Sequence, residues 1–511
     1  MTLTTRTGSA GRWLVLLSVC LAAMTMPLSF TGPAVALSRI AADLGGSPIE
    51  LSWVTNAFML TFGAGLMVAG ALADNHGRKR IFLAGLATYV LAALGATLAP
   101  DIVWFDIFRA LQGIGGAAAF AGGASALAQE FDGQSRLRAF SFLGTSFGIG
   151  LAFGPVASGL LIDVSGWRAI FLLVAVLGVA AAGLGLRTVA ESRDPDATGL
   201  DWAGAGTFTI ALAALTCGVL QAPQSGWANP LVVALLGMAA IGFAAFVIVE
   251  RRVRRPMLDL TLFRFPRFVG VQFLAAAPAY AFVVLLVLLP IRFIGVEGMS
   301  EIKAGQLMIC LSGPLLILPL LAGQAARWIA PATICGVGLL VAAAGLVWLS
   351  QVPMADSALV APLVLIGIGI ALPWGLMDGL AVSVVPKERA GMAVGIFNTN
   401  RVASEGVALA IVMATLSGFT ATQLGAQGLA SPVEAAAAAQ LLVTGNIGET
   451  AQHLPTAGAA LLVHAYETAF ERLLVVLATS TVLTAIIVFL GLRRGSAAEQ
   501  DVAAVPTCQQ G

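Results

Sequence analysis

Five ionisable residues of this 511-residue chain lie inside long apolar stretches: Asp106 and Arg109, Asp378, and Arg401 with Glu405. A carboxyl group surrounded by hydrocarbon favours its protonated form, and an adjacent guanidinium favours the ionised form. A carboxylate whose arginine approaches and withdraws therefore takes up and releases a proton. The spacing allows such pairs. On a helix, Asp106 and Arg109 are one turn apart, and Arg401 and Glu405 stand at i,i+4 on one face, as do Trp374 and Asp378. Glu405 or Asp106 is the expected proton carrier, with Arg109 and Arg401 beside them. The competing readings are fixed ion pairs and, for Asp378, a water-exposed helix end. Metal chemistry is not expected: the three histidines (His76, His453, His464) and five widely spaced cysteines match no ligand spacing. No nucleotide-binding loop or haem signature occurs, so no cofactor is expected.

The elements holding these residues follow from composition. Hydrophobic residues make up 59 % of the chain and charged residues only 10 %, against about 25 % charged in soluble proteins. Such a chain belongs in a bilayer. Fourteen apolar stretches of roughly 20 residues or more run from Trp13–Leu37 to Phe470–Leu492. The first is too long for a signal-peptide core and is expected to stay in the mature chain. With both termini cytoplasmic, most of the 27 basic residues fall on the inner side, as lysine and arginine distribution requires. Most tryptophans sit near span ends; Trp374 does not. Net charge +1 gives no field for nucleic acid. The stretch 420–466 reads as one long outer connection whose Ala-rich segment, Pro432 to Val443, is too short to span and is expected to form a short helix outside the bilayer, the alternative being a partly mobile stretch.

The loop after the second stretch reads Gly70-Ala71-Leu72-Ala73-Asp74-Asn75-His76-Gly77-Arg78-Lys79-Arg80. Gly77 suits a tight turn, and Asp74 suits a positive helix N-terminus. This run resembles the signature between helices two and three of the major facilitator superfamily. The resemblance implies that Asp74 meets the start of the thirteenth helix, near Ala390 and Gly391, and that Gly70, Asp74, Gly77 and Arg78 act in conformational gating. The segment Arg109 to Ala117 is similar to the family's fourth-helix motif, whose intramembrane arginine is linked to proton coupling. Gly144, Gly148, Gly150, Gly154, Pro155, Ser158 and Gly159 resemble the glycine-rich antiporter motif of drug exporters, with Gly154 and Pro155 as gating positions. Leu200 to Gly204, Arg255 to Arg264 and Pro386 to Gly406 resemble the 14-helix drug/proton antiporters of the EmrB/QacA type.

The resemblance implies an all-α integral membrane protein with the major facilitator fold and 14 transmembrane helices. Residues 11–190 and 265–495 would form two six-helix bundles, with two inserted helices at 200–250. The chain departs from that branch in the first helix, where Ser29 stands in place of the usual acid and cannot carry a proton. The helices lining the cavity of this fold offer Phe30, Asn56, Phe58, Trp374, Asp378 and Asn398 for substrate. Aromatic faces suit flat, greasy molecules, including cations, but deep acidic groups are too few for a dedicated polycation exporter. The expected function is proton-coupled efflux of amphipathic small molecules, a drug or toxic metabolite, across the bacterial cytoplasmic membrane by alternating access. The partners are protons, the small-molecule substrate and the lipid bilayer; some relatives in the branch use a periplasmic adaptor, which nothing here specifies. The alternatives are a dedicated exporter of one metabolite or antibiotic, an importer, and a non-transporting receptor descended from a transporter.

Overall fold

The computed structural model describes residues 9–46, 48–194, 201–253, 256, 258, 260–352, 356–383, 390–426, 431–443, 445, 447–454 and 458–503, and every regular element among them is helical. The first half comprises α1 (Ser9–Val35), the short α2 (Leu37–Leu44), α3 (Pro48–His76), α4 (Arg78–Thr97), α5 (Ile102–Glu130), α6 (Gly133–Ser165) and α7 (Arg168–Thr188). Next come α8 (Trp202–Ser225) and α9 (Pro230–Glu250), packed on each other. The second half comprises α10 (Pro266–Pro278), α11 (Val284–Pro290), α12 (Glu301–Ser312), α13 (Leu318–Ala325), α14 (Pro331–Leu349), α15 (Asp356–Ser383), α16 (Ala390–Ala426), α17 (Pro432–Val443), α18 (Ile447–His453) and α19 (Ala459–Ala503). α10 and α11 belong to one rod whose segments Ala279–Val283 and Ile291–Val296 are π-helical. Each π segment follows a proline, Pro278 or Pro290, which has no N–H to give the regular ladder.

Twelve stretches among the described residues are long and apolar enough to cross a membrane. α5 is not among them, because Asp106, Arg109, Gln112 and several glycines dilute its apolar content, and α6 is not counted, part of its apolar stretch lying outside the described side chains. Their 29 and 33 residues, at about 1.5 Å each, still exceed a hydrocarbon thickness of about 30 Å. The outside of the bundle is apolar as well: Leu98, Val164, Ile241 and Leu483 are all exposed, as side chains facing lipid tails should be. Within the expected connection at 420–466, the Ala-rich segment forms the short helix α17 (Pro432–Val443). α16 continues to Ala426, α17 and α18 occupy part of the interval, and α19 already begins at Ala459. Strong helix formers, Ala and Leu above all, carry the helices past the apolar boundaries.

Glycine sets the distance between helices. A Cβ on Gly85 of α4 would lie 2.3 Å from the Ala119 nitrogen of α5, and one on Gly115 would lie 2.5 Å from the Tyr89 nitrogen. The two backbones are therefore in direct contact, as small residues permit where no hydrophobic effect drives helices together. The two halves meet through α3 against α16 and α6 against α15. Thr399 Oγ1 donates to the Gly63 carbonyl at 3.2 Å, and Ser141 Oγ to the Gly375 carbonyl at 2.5 Å. α8 and α9 join this body through an apolar cluster of Phe208, Leu212 and Phe246 with Met67, Phe268 and Ile396. Beyond the end of α1, Asp43 of α2 accepts hydrogen bonds from Arg168 and, at 3.1 Å, from Trp167 Nε1. Those donors hold its carboxyl below the usual range.

Two outcomes follow. Gly85→Val forces apart backbones already in contact and should cost about 1–3 kcal/mol, whereas Gly206→Val, with nothing within 4 Å of its Cβ, should leave stability unchanged. Thermal unfolding of the detergent-solubilised proteins measures both. Asp43→Asn should lower the unfolding temperature at pH 7. Because the folded carboxyl has the lower pKa, that difference is full above about 3.9 and closes as pH falls through the depressed value.

Candidate functional site

The first buried arginine sits in α5. Arg109 is wholly inaccessible, and its guanidinium donates to the Val54 carbonyl (2.8 Å), the Ser29 carbonyl (2.6 Å) and Gln112 Oε1 (2.5 Å). It also lies over the Phe58 ring, 4.8 Å from its centroid. Ser29, at the position of the missing acid, is part of this network. Its Oγ lies 2.5 Å from the Tyr89 hydroxyl, which donates to the Thr25 carbonyl at 2.8 Å, and Gln112 Nε2 approaches Ser29 Oγ at 3.4 Å. Asp106 and Arg109 act on each other electrostatically but share no hydrogen bond. The carbonyls of Ser29 on α1 and Val54 on α3 and the Gln112 side-chain oxygen on α5 take the three nitrogens of the guanidinium, and Asp106 Oδ1 is buried with no hydrogen bond.

The second buried arginine lies where the halves meet. Arg401 of α16 is 1 % exposed, and its Nη1 stands 3.7 Å from Asp378 Oδ1 of α15. None of its nitrogens makes a hydrogen bond. Aromatic rings surround it instead: Phe147 of α6 at 4.6 Å, Trp374 at 5.8 Å and Phe397 at 5.9 Å from the guanidinium carbon. Glu405 is buried one turn further along α16, yet among the described residues the ion pair of Arg401 is with Asp378 and not with Glu405. Arg401 and Glu405, expected together from their i,i+4 spacing, act on each other electrostatically without ion-pair contact. Side chains of α15 and α6 hold the guanidinium among the rings, on the Asp378 side. Asp378 is itself buried, not a wet helix end. Asn398 completes the group, with Nδ2 donating to the Val394 carbonyl at 3.0 Å and Oδ1 unpartnered.

A row of aromatic rings connects the two arginines. Phe58 stacks on Phe62 at 5.5 Å, Phe62 meets Phe120 at 6.3 Å, Phe120 meets Phe147 at 5.9 Å, and Phe147 meets Trp374 at 6.4 Å. Phe30 joins it beside Phe58 at 6.5 Å. Of the residues expected to meet substrate, Phe30, Phe58 and Trp374 fall in this row, Asp378 and Asn398 flank its far end, and Asn56 is half-buried on α3. Sequence reasoning missed Phe62, Phe120, Phe147, Tyr89 and Gln112. Gln112 carried a signal, since it stands one turn from Arg109; the rings carried none beyond hydrophobicity.

The signature loop forms a clasp. Gly77, at φ +110°, turns the chain between α3 and α4, a conformation that glycine adopts without strain. A Cβ there would also sit 2.5 Å from Glu191 Oε1. Asp74 Oδ1 accepts from Arg78 Nη2 at 2.9 Å, with both side chains buried. The Arg78 nitrogen donates to the Ser192 carbonyl and the Asp194 nitrogen to the Asp74 carbonyl, each at 2.9 Å, which ties the turn to the chain leaving α7. Gly70 is buried beside it. The expected meeting with Ala390 and Gly391 involves side chains outside the described residues, as do the side chain of Pro155 and positions Leu200, Arg255, Met257, Asp259, Lys387 and Arg389. Gly154 packs on α1, where an added Cβ would lie 2.2 Å from Thr31 Oγ1.

Placing the missing acid back tests the first network. Ser29→Asp should be tolerated and should raise the unfolding temperature, because it supplies a counter-charge to a desolvated guanidinium. Ser29→Lys should prevent stable expression. A lower unfolding temperature for Ser29→Asp would contradict this account.

Comparison with known proteins agrees with this architecture. Residues 17–409 match the Major Facilitator Superfamily. The chain is 31 % identical over 393 residues to the multidrug resistance protein Stp of Mycobacterium tuberculosis, covering 76 % of this chain and 73 % of that one. It is 30 % identical to the tetracenomycin C resistance and export protein of Streptomyces glaucescens (77 % and 74 % covered) and 31 % identical to the cephamycin export protein CmcT of Amycolatopsis lactamdurans (85 % and 89 % covered). The fold matches the crystal structure of the human organic anion transporter MFSD10 with a TM-score of 0.59 at 13 % identity, over 92 % of this chain and 99 % of that one. Two helical halves joined at α3–α16 and α6–α15, the clasp at Asp74–Arg78 and these matches agree: the chain is a multi-pass membrane protein and belongs to the Major Facilitator Superfamily.

Proposed function

We propose that this protein is a secondary active exporter that uses the inward proton gradient to expel amphipathic small molecules across the bacterial cytoplasmic membrane. The observation that carries the reading is the cluster of Asp378, Arg401 and Glu405 at the contact between the halves. Alternating access opens that contact to one side and then the other, so water reaches these groups from each compartment in turn. Arg401 has two carboxylates within a helical turn and engages one at a time. The carboxylate left without its arginine, buried in a medium of low dielectric, holds the proton. Asp106, partly exposed on α5, is the second acid available. Export, and not import, is supported by the names of the relatives, which include multidrug resistance and antibiotic export proteins.

In this reading α5 and α6 join the twelve apolar stretches as membrane helices, for fourteen in all. Both termini are then cytoplasmic, the clasp at Asp74–Arg78 faces the cytoplasm, and α17 lies at the outer surface. Gly70, Gly77, Gly154 and Pro155 act in the gating movement. A second reading, a dedicated exporter of one antibiotic, is favoured by the relatives named for tetracenomycin C and cephamycin.

Cells producing the protein should accumulate less of its substrates than cells without it, and an uncoupler should abolish the difference. Glu405→Gln should reduce uphill export at least tenfold while leaving downhill movement intact. If Glu405→Gln and Asp106→Asn both keep proton-driven export, the coupling assignment is wrong. A panel in which a single compound is exported selects the dedicated reading.

A further inference from the structure

Arg401 is held in an unusual way for a buried guanidinium. Arg109, equally buried, makes three hydrogen bonds of 2.5–2.8 Å. Arg401 makes none, with Nε, Nη1 and Nη2 all unpartnered, and is kept in place by ring faces and by a carboxylate 3.7 Å away. Across the same small volume, Asp378 Oδ1 and Asn398 Oδ1 are also unpartnered. Buried polar groups nearly always find hydrogen bonds, and a cluster of exceptions marks a place where another molecule's groups belong. An aromatic cage with a carboxylate at its edge is the arrangement that binds organic cations.

We infer that Arg401 acts as a built-in stand-in for a monocationic, planar aromatic substrate, occupying the Phe147–Trp374–Phe397 cage until such a cation takes its place beside Asp378. This deepens the proposed export function and rests on it. The displaced guanidinium needs an anion, and Glu405 lies one helical turn along the same face of α16. When Arg401 turns to it, the Glu405 carboxyl O–H breaks and its proton passes to water. Charge balances throughout. With the cage filled by Arg401, the cluster holds one guanidinium, ionised Asp378 and neutral Glu405. With the cage filled by substrate, it holds two cations and two carboxylates. One cation enters for each proton that leaves, which is an antiport step. Among the described residues, the elements packed on α16 (α3, α5, α8, α10, the π segment Ala279–Val283, α11, α15, α17 and α19) bring no charge to Arg401 and Glu405 other than Asp378.

The test uses the purified full-length protein and two probes, the planar cation ethidium and its uncharged reduced form dihydroethidium, with binding read by fluorescence and proton release by an indicator dye in weak buffer. The wild type should release about one proton per ethidium bound and none with dihydroethidium. In Arg401→Gln the stand-in is gone and Asp378, left without its arginine, holds the proton, so this variant should bind ethidium at least tenfold more tightly and release about one proton even when Glu405→Gln is combined with it. Glu405→Gln alone should bind it about tenfold more weakly and without release. Size-exclusion elution and unfolding temperature establish that each variant is folded, and Arg401→Lys, which keeps a cation on the same helix face, should bring ethidium affinity back to within about twofold of the wild type. Unchanged or weaker ethidium binding by folded Arg401→Gln overturns the inference, as does equal proton release with dihydroethidium or no ethidium binding by the wild type. The accumulation assay separates the two levels. A protein that expels compounds but fails these tests loses only the stand-in role; one that expels nothing loses the export reading and this inference with it.

Discussion

A guanidinium inside hydrocarbon must be given partners, because a bare one costs more than most single contacts return. Both halves of this protein are organised around that requirement, and they meet it in opposite ways. In the first half, the carbonyls of Ser29 and Val54 and the amide of Gln112 fix Arg109 in a closed network across α1, α3 and α5. In the second, Arg401 is caged by rings from three helices with a single carboxylate at a distance. Hydrogen bonds are directional and short-ranged, so the first arrangement resists movement. Ring faces and Coulomb attraction fall off gently, so the second tolerates it. One half holds its arginine by hydrogen bonds and the other by ring faces and charge.

The aromatic row between the arginines gives these two poles a common path. Phe58, Phe62, Phe120, Phe147 and Trp374 come from α3, α5, α6 and α15, so the row crosses the contact between the halves. Ring-to-ring contacts supply a continuous apolar surface with no hydrogen bond that a passing molecule has to break. Where the row ends, Trp374 Nε1 donates to the Gly144 carbonyl at 3.2 Å, a bond between halves that any opening must release.

How much of this was legible depended on the range over which each feature is encoded. The membrane helices were read from composition and runs of apolar residues, which are local properties. The clasp at Asp74–Arg78 was legible because its residues are consecutive and its turn needs glycine. The five charges inside apolar stretches are conspicuous in sequence because a charge in hydrocarbon is rare. Their partners are not. Spacing put Asp106 with Arg109 and Glu405 with Arg401, yet the structure gives Arg109 to carbonyls of α1 and α3, and Arg401 to Asp378 of α15. Backbone carbonyls have no sequence signature, and a contact between helices 23 positions apart, as at 378 and 401, is set by packing. Phe147 was invisible for the same reason: its role comes from what α15 and α16 bring against it.

The glycines of α6 carry one last consequence. Gly150 and Gly154 seat the helix on α1, where an added Cβ would lie 2.2 Å from the Met24 carbonyl or from Thr31 Oγ1; Gly144 turns the other way, with an added Cβ 3.0 Å from the Trp374 carbonyl. Both faces of the helix are thus machined to backbone tolerance, and Phe147 lies between them, its ring pointing into the cage. The glycines leave little room for change, whereas the ring at 147 can be exchanged without touching either bearing surface. If the proposed cage selects the substrate, chemical selectivity and mechanical fit are written at separate positions of one helix and can evolve apart.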